Sequence, residues 1–177
     1  MVKQQSILPR IAAAFAVLAA ILCGSAVPAA DRDSELFNAG SMRLSVMFGN
    51  ATAFQQSYSV AGMGFGYYVI DRLEAGIEAE TWSGNTPNIS RMTPQLQYVF
   101  PLEGNIKPYA GALYTRTFIQ GRDGTNTAGV RAGVIFLTGS RLYLGIGLVH
   151  EIQLNCDRTV YDACSNTYPD LFLAVLF

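Results

Sequence analysis

Residues 73–80 read Leu-Glu-Ala-Gly-Ile-Glu-Ala-Glu. Leu73, Ala75, Ile77 and Ala79 share one side of a period-two alternation; Glu74, Gly76, Glu78 and Glu80 share the other. Successive side chains of a strand point to opposite faces, so this stretch reads as β-structure with one apolar and one acidic face. Helical propensity is poor in the runs around it, where Gly, Tyr, Val and Thr are common.

The alternation recurs on both sides. Eight such runs are legible: about Ser41–Gly49, Ser57–Ile70, Arg72–Trp82, Arg91–Phe100, Ile106–Phe118, Thr127–Leu137, Arg141–Gln153 and Tyr168–Phe177. Turn residues separate them. Asp71-Arg72, Pro101 to Asn105 and Thr138-Gly139-Ser140 read as short connections, while Ser83 to Ser90, Gln120 to Asn126 and Leu154 to Thr167 read as longer loops. Asn50 to Gln56 is intermediate. Runs of roughly ten residues with alternating polarity, even in number and joined by long and short connections in turn, are the pattern of an antiparallel up-and-down transmembrane β-barrel. The expected fold class is therefore all-β, an eight-stranded barrel.

The start of the chain has another character. Lys3 and Arg10 precede an uncharged apolar run, Ile11 to Cys23, and Gly24 to Ala30 reads GSAVPAA. That is the layout of a cleaved secretory signal peptide; Gly24 and Pro28 interrupt the apolar core and argue against a retained anchor. The expected organisation is residues 1–30 signal peptide, 31–40 a polar periplasmic leader and 41–177 the barrel. From Asp31 onward ten Lys/Arg stand against thirteen Asp/Glu, a formal charge of -3.

Composition narrows the function. Of 177 residues only 14% are charged and the whole chain carries a formal -1, so the basic footprint of a nucleic-acid binder is missing. Cys156 and Cys164 offer only two thiols with no His nearby, too few for an ordinary structural zinc site, and no cofactor or metal is expected.

Energetics orients the strands. An Arg or Lys facing lipid at mid-membrane costs roughly 2–4 kcal/mol, and Asp or Glu less. Arg43, Glu78, Glu80, Arg131, Glu151 and Asp170 are therefore expected inside. The fifth run leaves both orientations open: Arg116 argues for an inward even face, but that would put Tyr114 inside and Tyr109 in the lipid-side aromatic belt. An eight-stranded barrel is just wide enough for side chains to fill it, so these charges of both signs are expected to form a network that plugs the lumen. Inward glycines such as Gly64, Gly66 and Gly145 leave room for larger neighbours.

Other candidate sites are few. Cys156 and Cys164 share the longest loop, and in an oxidising compartment they are expected to form a disulfide. His150 is the sole histidine; alternation puts it on the outer face, away from Glu151, with no Ser two residues away to serve as a nucleophile. Arg122-Asp123-Gly124 reads as a polar loop turn.

The final strand ends on Phe177 with Val175, Leu173 and Leu171 on the same face. Here the sequence resembles the terminal strand by which bacterial outer-membrane barrels are recognised for insertion. Pro108-Tyr109-Ala110-Gly111 and Gly64-Phe65-Gly66-Tyr67-Tyr68 are similar to segments of the small OmpA/OmpW-like barrels. The resemblance implies a bacterial outer-membrane location, with membrane lipid, lipopolysaccharide and the barrel-assembly machinery as partners and a monomeric state. It names an architecture more than an activity. A non-enzymatic barrel with a structural, envelope-stabilising or surface-interaction role is the leading reading. The alternatives are an OmpW-like passage for small hydrophobic compounds and a lipid A-modifying enzyme.

Overall fold

The computed structural model describes residues 36–53, 55–138, 141–154, 156 and 164–177. The signal peptide read over 1–30 and the first half of the leader lie outside these residues. Eight strands follow one another as a closed antiparallel barrel, each paired to the next and β8 back to β1. They are β1 Met42–Ala53, β2 Gln56–Ile70, β3 Leu73–Ser83, β4 Ile89–Val99, β5 Ile106–Ile119, β6 Arg122–Leu137, β7 Leu142–Gln153 and β8 Ser165–Leu176.

Burial follows the pleat. In β4 buried and exposed residues alternate without a break from Ile89 to Val99. Large apolar side chains face outward around the wall, among them Leu44, Phe65, Ile77, Leu96, Val130, Leu148 and Leu171. The buried set contains Arg43, Glu74, Glu78, Arg91, Arg131 and Glu151. A polar interior inside an apolar coat is the arrangement of a membrane-spanning barrel.

Two connections differ from the sequence reading. Ala53 pairs with Gln56, so β1 and β2 meet in a tight turn where an intermediate loop was expected. Likewise Ile119 pairs with Arg122, and the segment read as a loop from Gln120 to Asn126 is mostly strand. Arg122-Asp123-Gly124 therefore lies in β6. Polarity was the misleading signal: Thr125 and Asn126 pair with Thr117 and Arg116, and a strand whose ladder is satisfied can continue past the apolar belt. Gly121, at φ 73°, makes that turn. Long and short connections consequently do not alternate strictly. The largest described gaps are at residues 84–88 and 154–164 at one end, called here the loop end, and 100–105 at the other, the terminal end.

At the terminal end the residues ahead of β1 fold under the barrel. Phe37, expected in a polar leader, is 3% exposed and packs edge-on against Tyr68 and Tyr143, with ring centroids 5.7 and 6.0 Å away. Arg72 donates its backbone N–H to the Phe37 carbonyl at 2.6 Å, and the Ala39 N–H reaches Asp71 Oδ1 at 2.9 Å. Tyr143, Phe172 and Tyr109 continue this aromatic layer across the lumen.

Candidate functional site in the barrel lumen

Above the aromatic layer the lumen is polar. Arg43, on β1, lies 2.8 Å from Glu74 Oε1 through Nη2, donates Nε to the same oxygen at 2.9 Å and gives Nη1 to Ser45 Oγ at 3.1 Å. Its guanidinium also stacks 5.4 Å above the Phe172 ring and stands 3.6 Å from Glu78. Arg131, on β6, grips Glu78 with both terminal nitrogens and reaches Asp170 Oδ2 at 3.1 Å. Gln95 bridges this group: it donates Nε2 to Glu78 at 3.0 Å and accepts from Arg131.

A second group lies toward the loop end. Arg91 Nη2 bonds both oxygens of Glu151, at 2.6 and 2.8 Å, and Nη1 stands 3.5 Å from Glu80. Thr115 donates to Glu151 at 2.9 Å and Trp82 Nε1 donates to Glu80 at 3.1 Å. The Arg91 guanidinium also lies over the Trp82 and Tyr168 rings, at 5.6 and 5.7 Å. Glycines make the space for these side chains. A Cβ on Gly64 would sit 2.5 Å from Ser45 Oγ and 2.9 Å from Glu78 Cγ.

Six of the seven charges expected inside are there: Arg43, Glu78, Glu80, Arg131, Glu151 and Asp170. The bonds among them gather around Glu78 and around Arg91. Arg116 is the exception and corrects the reading of β5. The inward face of that strand is the odd one, with Lys107, Tyr109, Leu113 and Thr115 buried. Arg116 points outward, bonded to Asn126 Oδ1 at 2.7 Å and over the Phe118 ring at 5.7 Å. Tyr109 is accordingly inside and Tyr114 outside. A guanidinium is tolerated there because β5 and β6 extend beyond the belt toward the loop end.

Two members of the lumen groups were missed. Glu74 shares the parity of Glu78 and Glu80, and Arg91 that of Gln95 and Gln97, so alternation alone could have found both. What alternation cannot supply is pairing between distant strands, such as Arg91 with Glu151.

Elsewhere, Cys156 and Cys164 are joined as a disulfide. Leu171, Leu173, Val175 and Phe177 share the outer face of the last strand. His150 is also outward, and a hydroxyl does reach it: Thr167 Oγ1 lies 2.8 Å from Nδ1. Glu151, the adjacent carboxylate, points the other way and is held by Arg91 and Thr115. Among the described residues no group of three or more His, Cys, Asp or Glu is placed to hold a metal.

No family model matches the chain, and no curated protein matches it in sequence. Solved structures match it in fold. The N-terminal β-barrel domain of OprF from Pseudomonas aeruginosa is similar at a TM-score of 0.63 and 17% identity, over 78% of this chain and 98% of that one. The chain has the fold of the small outer-membrane barrels. Neisserial surface protein A is also similar, with a TM-score of 0.53 at 16% identity, over 77% of this chain and 94% of its own.

Proposed function

We propose that this chain is a non-enzymatic barrel of the bacterial outer membrane whose lumen is closed by its own side chains, and which serves the envelope as a structural element or interaction surface. The observation that carries this reading is the convergence on Glu78 of groups from three other strands: Arg43 of β1, Gln95 of β4 and Arg131 of β6. A hydrated ion would have to break several charge-assisted bonds to pass, and below them it would meet the Phe37–Tyr68–Tyr143 layer. The apolar belt and the fold support an outer-membrane location. On this reading the loop end is extracellular and the Phe37 end periplasmic. Membrane lipid and lipopolysaccharide lie against the belt, the assembly machinery engages the terminal strand, and the barrel acts as a monomer.

Single-channel recording of the purified protein in planar bilayers tests the closure. The expected trace has no steady conductance. A stable ohmic pore would replace this reading with passage through the lumen. Mass spectrometry of lipid A from cells with and without the protein addresses catalysis; identical species are expected.

A further inference from the structure

The barrel closes where its ladder is shortest. Between β1 and β8 the pairs are only Arg43–Leu176, Leu44–Val175, Ser45–Ala174 and Val46–Leu173, and beneath them Met42 and Phe177 exchange backbone bonds. By contrast β7 and β8 pair from Leu142–Val175 to Ile152–Ser165, and β1 and β2 from Met42–Tyr67 to Ala53–Gln56. The sequence supplies a cause. Because Met42 and Phe177 bond each other, even residues of β1 and odd residues of β8 aim their backbone groups across this seam. In continued register Asn50 would face Pro169, which has no N–H to give. The ladder ends short of that pair.

Residues 36–41 cross the foot of the seam. They are rooted on the β2 side. The Gly40 N–H bonds the Tyr68 carbonyl at 2.9 Å, and the Tyr68 N–H returns to the Ser41 carbonyl at 3.0 Å. In the turn after β2, the Arg72 N–H holds the Phe37 carbonyl and Asp71 Oδ1 accepts from the Ala39 N–H. Gly40, at φ 93°, bends the chain from this root into β1, a conformation that glycine adopts at little steric cost.

From that root the Phe37 side chain reaches the far side of the seam. Its ring lies between Tyr68 of β2 and Tyr143 of β7. The strand order there is β7, β8, β1, β2, so the two tyrosines stand three strand spacings apart, about 14 Å along the wall. Leu176 and Ala174, inward residues of β8 at the seam, belong to the same buried cluster, and Leu36 packs against it.

We propose that residues 36–41 are a strap that fastens the barrel shut. Its backbone is bound to β2 and the turn after it, its ring is bound to β7, and the short β1–β8 ladder lies between the two anchorages. The coupling runs both ways. The slot for Phe37 has Tyr68 as one wall and Tyr143 as the other, so it exists only once β7 has come round to β2. A group that docks on the closed form alone shifts the equilibrium toward that form. The strap also supplies what the seam lacks: it asks no N–H of Pro169, and it adds apolar burial where backbone bonds run out. In assembly the strands pair first and the strap docks last. This inference is independent of what passes the lumen, since Phe37 ties the wall whether or not the charge groups above it conduct.

Residue-resolved amide exchange of the folded protein in detergent micelles tests the strap. The amides of Leu44, Val46, Leu173 and Val175 report on the seam, while those of Arg43 and Ser45, on the same strand, bond β2 and serve as controls. In Phe37→Ala the seam amides should exchange roughly tenfold faster than in the native protein, with the controls and the β4–β5 ladder little changed. Asp71→Ala, which frees the Ala39 N–H and leaves the rings in place, should accelerate the same amides more weakly. Heat-modifiable gel migration verifies that each variant is folded; if Phe37→Ala yields no barrel, Phe37→Leu carries the comparison. Uniform acceleration around the barrel would make Phe37 an ordinary filler of the lumen, and unchanged seam amides would leave it no part in closure. Either result overturns the proposal. A response to the Phe37 variant alone would assign closure to ring packing and overturn the strap as well.

Discussion

Arg131 holds Glu78 through two parallel bonds, Nη1 to Oε1 at 3.0 Å and Nη2 to Oε2 at 3.1 Å, across 53 residues of sequence. Side by side, these bonds fix the angle of both side chains as well as their separation. Asp170 and Gln95 complete the shell, so β3, β4, β6 and β8 are tied at one point of the lumen.

Removing that guanidinium leaves Glu78 and Asp170 facing each other without it. Breaking a buried pair this way commonly costs about 3–5 kcal/mol, and water entering the lumen lowers the figure. Arg131→Ala should therefore lower the midpoint of urea unfolding in lipid vesicles clearly. Arg116→Ala, on the outer face, should shift it by about 1 kcal/mol or less. Equal shifts would show that the inner charges are not energetically distinct from outer ones.

Phe37 is nearly as buried as any aromatic of the lumen although it precedes the first strand. Phe37→Ala opens a void between Tyr68 and Tyr143, and such truncations cost about 3–5 kcal/mol in well-packed sites. The barrel should still fold, with a lower unfolding midpoint. An unchanged midpoint would mean that the stopper contributes nothing to stability.

Phe177 exchanges backbone bonds with Met42 and so extends the shortest ladder of the barrel. Deleting it shortens closure where the fewest bonds exist. The folded fraction, read as the fast-migrating band on unheated gels, should fall in cells lacking Phe177. An undiminished fraction would count against its role in closure and in insertion alike.

Gly64 has no space for a branched side chain between Ser45 and Glu78. Gly64→Val should cost roughly 1–3 kcal/mol through forced displacement. Gly49→Val, where nothing lies within 4 Å, should be tolerated, which the same urea titration can read.

Most of the barrel was legible because charge and period agreed. In β3 three glutamates share one parity, and in β7 Glu151 stands opposite a row of aliphatics, so the inner face could be assigned without knowing the neighbours. β5 failed because Lys107 and Arg116 have opposite parities, and a rule that sends every cation inward cannot satisfy both. The deciding facts were the partners each cation finds nearby: Lys107 bonds the Leu102 carbonyl at the terminal end, and Arg116 finds Asn126 on the next strand. Phe37 was illegible for a related reason. A single aromatic among polar residues has no period, and only the closed barrel creates the hole that it fills.

The polar interior also acts while the barrel is being formed. Sliding one strand by a single residue against its neighbours turns its inner set outward. For β6 that slip would move Arg131 from Glu78 into hydrocarbon, at roughly 2–4 kcal/mol near mid-membrane, and would abandon the carboxylates it left behind. Comparable slips of β1 or β3 would expel Arg43, or Glu74, Glu78 and Glu80 together. An apolar lumen would impose a much weaker penalty for such errors, since Leu outside and Leu inside differ little in lipid. The guanidinium–carboxylate pairs therefore work as a combination lock on alignment, discriminating among rival threadings of the same eight segments before any question of stability in the finished protein arises.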